Sequence, residues 1–165
     1  KPDFTDLASK IILSEAQAVL YIGSSGNGAQ GVKALRIAGS SAQVVTLSNN
    51  ASEGFIKLLG EHARGVVVTQ VFPNERAVTY KLIKEAQDLA GVSPAMMEGY
   101  AAAKVLVEGL RRAGPKPTSS SLRDALESLN RFDLGGLEVS YGVNDHSGLD
   151  FADLSIIGSD GRFMR

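Results

Sequence analysis

Cysteine and tryptophan are both missing from the 165 residues. Without cysteine there is no disulfide framework, no thiolate zinc site and no cysteine nucleophile, and the absence fits a reducing or an oxidising compartment equally. Charge of one sign is missing too. Seventeen Lys and Arg against 18 Asp and Glu leave a net charge of −1, which gives no electrostatic case for nucleic acid or an anionic membrane. No apolar run approaches the length of a membrane span. His62 and His146 are the only histidines, and their separation suggests no metal pair. No nucleophile, base and orienting group assemble, so the sequence reads as a non-enzyme, with no metal and no cofactor expected. The chain starts at Lys1 with neither methionine nor signal peptide, so it reads as processed or excised. What is present, 44% hydrophobic and 21% charged residues, suits one sizeable core or part of a larger protein.

The stretch Ala18–Gly39 organises the rest. It reads as a buried strand (Ala18–Ile22), a glycine- and serine-rich turn (Gly23–Gly28) and an amphipathic helix (Ala29–Ala38), closed by Gly39 at C′. Val32, Leu35 and Ala38 recur at three-residue spacing, with Lys33 and Arg36 on the other side. A strand feeding a helix through small polar residues puts free N–H groups and hydroxyls at one edge of a sheet, where open α/β sheets bind ligands. Ser24, Ser25, Gly26 and Asn27 are therefore candidate binding residues, and equally ordinary helix-capping residues.

Before this stretch, Asp3 caps a helix from Phe4 to about Ser14. After it, a strand at Gln43–Leu47 ends in a second polar turn, Ser48-Asn49-Asn50, which makes Ser48 and Asn49 further candidates. A helix at Ser52–Gly60 and a β-branched strand at Gly65–Phe72 follow. Threefold alternation of helix and strand predicts an α/β fold with a parallel sheet flanked by helices. The chain then changes character. Helices are expected at Ala77–Leu89, Pro94–Ala113 and Ser121–Leu129, then a tail with strands at Leu137–Tyr141 and Phe151–Ile157 around a turn-rich loop, Gly142–Gly148. Arg111, Arg112 and Lys116 read as a solvated helix end, and Met96 and Met97 as core.

Gly26–Gly31 matches the dinucleotide pattern G-x-G-x-x-G. Its first glycine, however, lies three residues past Gly23, and the next strand ends in Ser48-Asn49 rather than an acid for a ribose hydroxyl. Nucleotide binding is not expected. Gly31-Val32-Lys33 likewise fails as a phosphate loop, and Asn27 stands where a nucleophile elbow needs glycine.

Taken in order, Pro2–Gly39, GVVVTQVFPN (Gly65–Asn74), Met96–Gly114 and Phe132–Phe151 resemble the C-terminal half of type I periplasmic binding proteins, the leucine/isoleucine/valine-binding family of ABC importers. The resemblance implies two α/β lobes joined by three crossing segments, closing on a solute without chemistry. It implies that residues 1–74 form a C-terminal-lobe core with a crossing segment, 75–131 helices completing the other lobe, and 132–165 a returning crossing and terminal strands. Phe72, Pro73 and Asn74 become hinge residues, and Ser24 or Ser25 ligand-binding. The family's acid for an α-ammonium falls near Ser48, where this chain has none, and Glu53 is displaced. The implied solute is a small amino acid or organic carboxylate, the implied partner a membrane permease, and the implied location periplasmic. A ligand-sensing regulator of the same fold, or less readily a nucleotide-binding α/β enzyme, stays open as an alternative. The missing N-terminal lobe would leave apolar stripes uncovered, on Val78, Leu82, Ile83, Ala86 and Leu89 and on Tyr100, Val105, Leu106 and Leu110. Self-association of the fragment is therefore expected.

Overall fold

The carboxylate of Asp3 accepts hydrogen bonds from the N–H groups of Thr5 and Asp6 and starts the first helix where the sequence puts it. The computed structural model describes residues 2–77, 79–90 and 93–164. In order the elements are α1 (Phe4–Leu13), β1 (Ala18–Tyr21), α2 (Ser25–Ile37), β2 (Gln43–Thr46), α3 (Glu53–Leu59), β3 (Val67–Gln70), α4 (Lys81–Ala90), α5 (Pro94–Ala113), α6 (Ser119–Glu127), β4 (Phe132–Asp133), β5 (Glu138–Val139), β6 (Asp153–Ile157) and β7 (Phe163–Met164). Single 3-10 turns occupy Ser48–Asn50 and Gly60–His62. The chain forms two compact units. One comprises the residues up to Gln70 with those from Asp153 onward, and the other is Val71–Ala152.

The first unit holds a five-stranded sheet in the order β1-β2-β3-β6-β7. β1, β2 and β3 run parallel, and β6 and β7 add antiparallel strands. Alternation sorts the side chains. Val44, Val68 and Ile157 face α1, α2 and α3 and bury with Ala8, Val32, Leu35, Phe55 and Leu59. The opposite face carries an in-register row, Leu20–Val45–Val67–Ile156–Met164. There Leu20 is 61% exposed and Met164 50%. The expected buried strand at Ala18–Ile22 is thus an edge strand, with Leu20 and Ile22 open, because hydrophobicity does not report a strand's place in its sheet.

The second unit packs α4 and α5 against the β4–β5 hairpin around Leu82, Ile83, Ala86, Met97, Ala101, Leu134, Leu137 and Val139. This corrects the expectation for the α4 stripe, since Leu82, Ile83 and Ala86 are buried within the unit while Leu89 stays exposed. Val78 lies outside the described residues. On α5, Leu106 and Leu110 remain exposed as expected, together with Met96 and Val107, so only Met97 of the methionine pair is core. Ser93 caps α5, Pro94 takes its first turn, and Gly114 closes it at φ +86°. Arg111 and Arg112 are not a merely solvated end. Both clasp Glu108, one turn back, at 2.8 and 2.7 Å, and Arg112 reaches the Ser128 carbonyl after α6.

Thr118 and Ser121 form a reciprocal capping box at the start of α6. Thr118→Ala is expected to cost about 1 kcal/mol in urea denaturation, with a matched loss of α6 amide protection. The hydrogen bonds from Arg111 and Arg112 hold the Glu108 carboxyl down to about 2 from an ordinary 4.5. A carboxyl whose pKa falls on folding stabilises the fold above its ordinary value and loses that contribution as pH drops through the folded one. The Glu108 contribution is therefore complete above pH 4.5 and gone below about 2. Glu108→Gln is expected to flatten the pH dependence of Tm across that window. An unchanged profile would remove Glu108 from the acid response.

Candidate functional site

Because β1 and β2 are parallel with Tyr21 opposite Thr46, the turns that follow them lie at the same edge of the sheet. Ser24–Asn27 and Ser48–Asn49 are therefore brought together. The first turn differs from the expectation. Gly23–Gly28 is not a turn throughout, because α2 begins at Ser25 with Ser24 as its N-cap, and Ser25, Gly26, Asn27 and Gly28 form its opening turn. Small residues read as a loop, yet they are what this helix start requires. The Tyr21 ring folds back over it and its hydroxyl donates to the Ser24 carbonyl at 2.8 Å. A Cβ at Gly28 would meet that ring at 2.6 Å, and one at Gly23 would meet the phenol oxygen at 2.5 Å. The packing of Tyr21 therefore requires glycine at position 28. The dinucleotide-like pattern is the first turns of a helix.

Five residues tie the two turns into one piece. Asn50, fully buried, accepts from the Ser25 hydroxyl at 2.7 Å and donates to Thr46 Oγ1 at 2.7 Å and to the Gly23 carbonyl at 3.3 Å. Asn49 Nδ2 donates to the same Gly23 carbonyl at 2.9 Å. Ser25 and Asn49 thus spend polar atoms on the scaffold, while Ser24, Gly26 and Asn27 are exposed and Ser48 half-buried. Ser24 makes no side-chain cap, so the leading amides of α2 have no side-chain acceptor and point, with the positive end of the helix dipole, toward the edge. Neither turn carries an acid. Glu53, exposed in the first turn of α3, is the nearest carboxylate in sequence. Thr46 and Tyr21, and the role of Asn50 as the tie between the turns rather than as one member of the second, are what sequence reasoning missed. Their only advance signal was a threonine four residues before an asparagine at the end of a strand.

The expected hinge residues fall at the start of the second unit. Phe72 packs against that unit's core, Pro73 is buried, and Asn74 accepts from the Arg76 N–H at 2.9 Å in a local turn. His146 lies 3.3 Å from Glu127, and His62 ends the second 3-10 turn. Among the described residues no cluster of three or more His, Asp or Glu could hold a metal ion, and no helix is long and apolar enough to cross a membrane.

A family model described as periplasmic binding protein matches residues 1–152. No curated protein matches the chain. Among solved structures, a substrate-binding periplasmic protein from Ralstonia solanacearum is 30% identical with a TM-score of 0.80, over 98% of this chain and 49% of its own. An extracellular ligand-binding receptor from Verminephrobacter eiseniae is 26% identical with a TM-score of 0.80, over 98% of this chain and 48% of its own. A leucine binding protein from Thermotoga maritima, 17% identical, shares the fold at a TM-score of 0.82 over 100% of this chain and 48% of its own. The chain spans about half the length of these relatives.

Proposed function

We propose that this chain, which belongs to the periplasmic binding protein family, forms one wall of a two-lobed receptor that hands a small organic carboxylate to the membrane permease of an ABC importer. The chain is homologous to ABC-transporter substrate-binding proteins. The observation that carries the ligand class is the chemistry of the tied polar edge. It offers the Ser24 hydroxyl, the amides opening α2, and Ser48, but no carboxylate. Donors of this kind suit an anionic or neutral acceptor. An α-ammonium enclosed here would lose the charge-assisted partner that makes its burial tolerable.

The work is binding without bond making. Ser24, Ser25, Gly26, Asn27, Ser48 and Asn49 face the solute or hold the residues that do. Bending at Phe72, Pro73 and Asn74 lets a second wall close over it, and the permease reads the closed form. Delivery of this kind belongs to the periplasm. Where the 165 residues are produced alone, the sheet row from Leu20 to Met164 and the exposed side of α5 favour self-association, which light scattering after size exclusion measures directly.

A thermal-shift screen on the complete gene product decides the ligand class. Aliphatic or aromatic carboxylates are expected to raise Tm, with about 2.7 kcal/mol of stabilisation at a hundredfold excess over Kd. Stabilisation by α-amino acids alone, or by NAD(H), would overturn the reading.

A further inference from the structure

β1 lies at an edge of the sheet but has none of the usual protection of an edge strand. The Gln43 N–H donates to the Gln17 carbonyl at 2.8 Å, with Ala18 opposite Gln43 in a parallel ladder. That register turns the backbone groups of Val19 and Tyr21 toward β2, and those of Ala18 and Leu20 toward the free side. Edge strands left to solvent are kept short, charged, or interrupted by proline or a bulge. β7, at the opposite edge, is two residues long. β1 is instead Ala-Val-Leu-Tyr with Ile22 following, and Leu20 and Ile22 are 61% and 69% exposed.

The helices indicate where a cover would come from. α1, α2 and α3 all bury against one face of the sheet. Parallel crossovers are right-handed, so helices on that face serve strands laid down in the direction from β1 to β3. α1 leads into β1 from this same face, so a parallel strand feeding α1 belongs beyond the free side of β1. A crossover helix on the bare face must serve strands running the opposite way, again beyond β1. Among the described residues no strand pairs with that side, and solved relatives are about twice as long as this chain. We infer that β1 is an inner strand of a doubly wound sheet. Its free side receives parallel strands from the portion of the polypeptide outside these 165 residues, and their crossover helix covers the row from Leu20 to Met164. A strand there gives the Ser24–Asn27 turn a neighbour across a reversal of winding, the place where open α/β sheets leave a crevice. The pairing does not depend on which solute is bound.

Residue-by-residue amide exchange on the complete gene product tests the pairing without any substitution. A β1 paired on both sides protects Ala18 and Leu20 as well as Val19 and Tyr21, with rates within about tenfold of one another. Alternation along the strand, with Ala18 and Leu20 exchanging about a hundredfold faster than their neighbours, would overturn the inference. Protection of Ala18 and Leu20 that fades on dilution would overturn it too, since a second copy would then be the occupant. Leu20→Ala tests the cover, because the Leu20 side chain stands on the bare face. Burial beneath a helix predicts a fall in Tm of about 8 °C in the complete product. A change of less than about 2 °C would show that the face stays open and would also overturn the inference.

Discussion

Asn50→Leu is expected to lower the stability of the protein by about 3 kcal/mol and to abolish solute binding. Leucine matches asparagine in size closely enough to fit the buried site, so the loss is chemical. The Ser25 hydroxyl, Thr46 Oγ1 and the Gly23 carbonyl each lose a hydrogen bond in a place where Asn50 is fully shielded from water. Each group left unpaired costs about 1–3 kcal/mol, offset in part by the apolar gain of leucine. Asn49→Ala is the control. Its amide is exposed and shares an acceptor that Asn50 also serves, so less than about 1 kcal/mol is expected. Denaturant titration compares the two directly. Equal effects would mean that the two turns are not joined through Asn50.

The second large effect lies in the other unit. Gly135 sits at φ +119°, and a Cβ added there would lie 2.6 Å from the backbone nitrogen of Leu82. That nitrogen also donates to the Gly135 carbonyl at 3.0 Å, while the Gly135 N–H donates to Asp133 at 2.8 Å. A methyl group would collide with main chain that cannot rotate away, in a conformation that L-residues avoid. Gly135→Ala is expected to cost about 4 kcal/mol. Gly136, next in the chain, has φ +93°, but its added Cβ would meet a Tyr80 ring carbon at 3.2 Å, a neighbour able to shift. Gly136→Ala should cost about 1–2 kcal/mol. A Gly135→Ala protein no less stable than Gly136→Ala would show that the hairpin can move off α4.

How far the sequence could be read depended on whether the signal was local. α5 was legible to its ends, because Pro94, the closing arginines and Gly114 are all chain neighbours of the helix they bound. α2 was placed too late. Ser25–Gly28 look like loop until the Tyr21 ring, a tertiary neighbour, explains why glycine is needed inside a helix. β4 and β7, at two residues each, are too short for any alternation to show. The exposure of β1 was likewise invisible, since an edge strand and a central one carry the same apolar letters. At the candidate site the two polar turns could be found by composition. Asn50 as their tie could not, because Ser25 is 25 residues away from it. The grip of Arg111 and Arg112 on Glu108 was within reach, at helical spacings of three and four.

Gln70 and Asp153, direct partners where the chain leaves and re-enters the first unit, bear on how this protein can be cut. Residues that face each other across an antiparallel ladder are the natural ends of a hairpin, and everything between them here is Val71–Ala152. Deleting that insert and bridging Gln70 to Asp153 with Asn-Gly, a pair that favours the tight turn such ends require, should yield a minimal domain. It would keep all five strands of the larger sheet and the three helices that cover it, in one uninterrupted chain. The two halves of the polypeptide could then be made, mutated and recombined as separate parts.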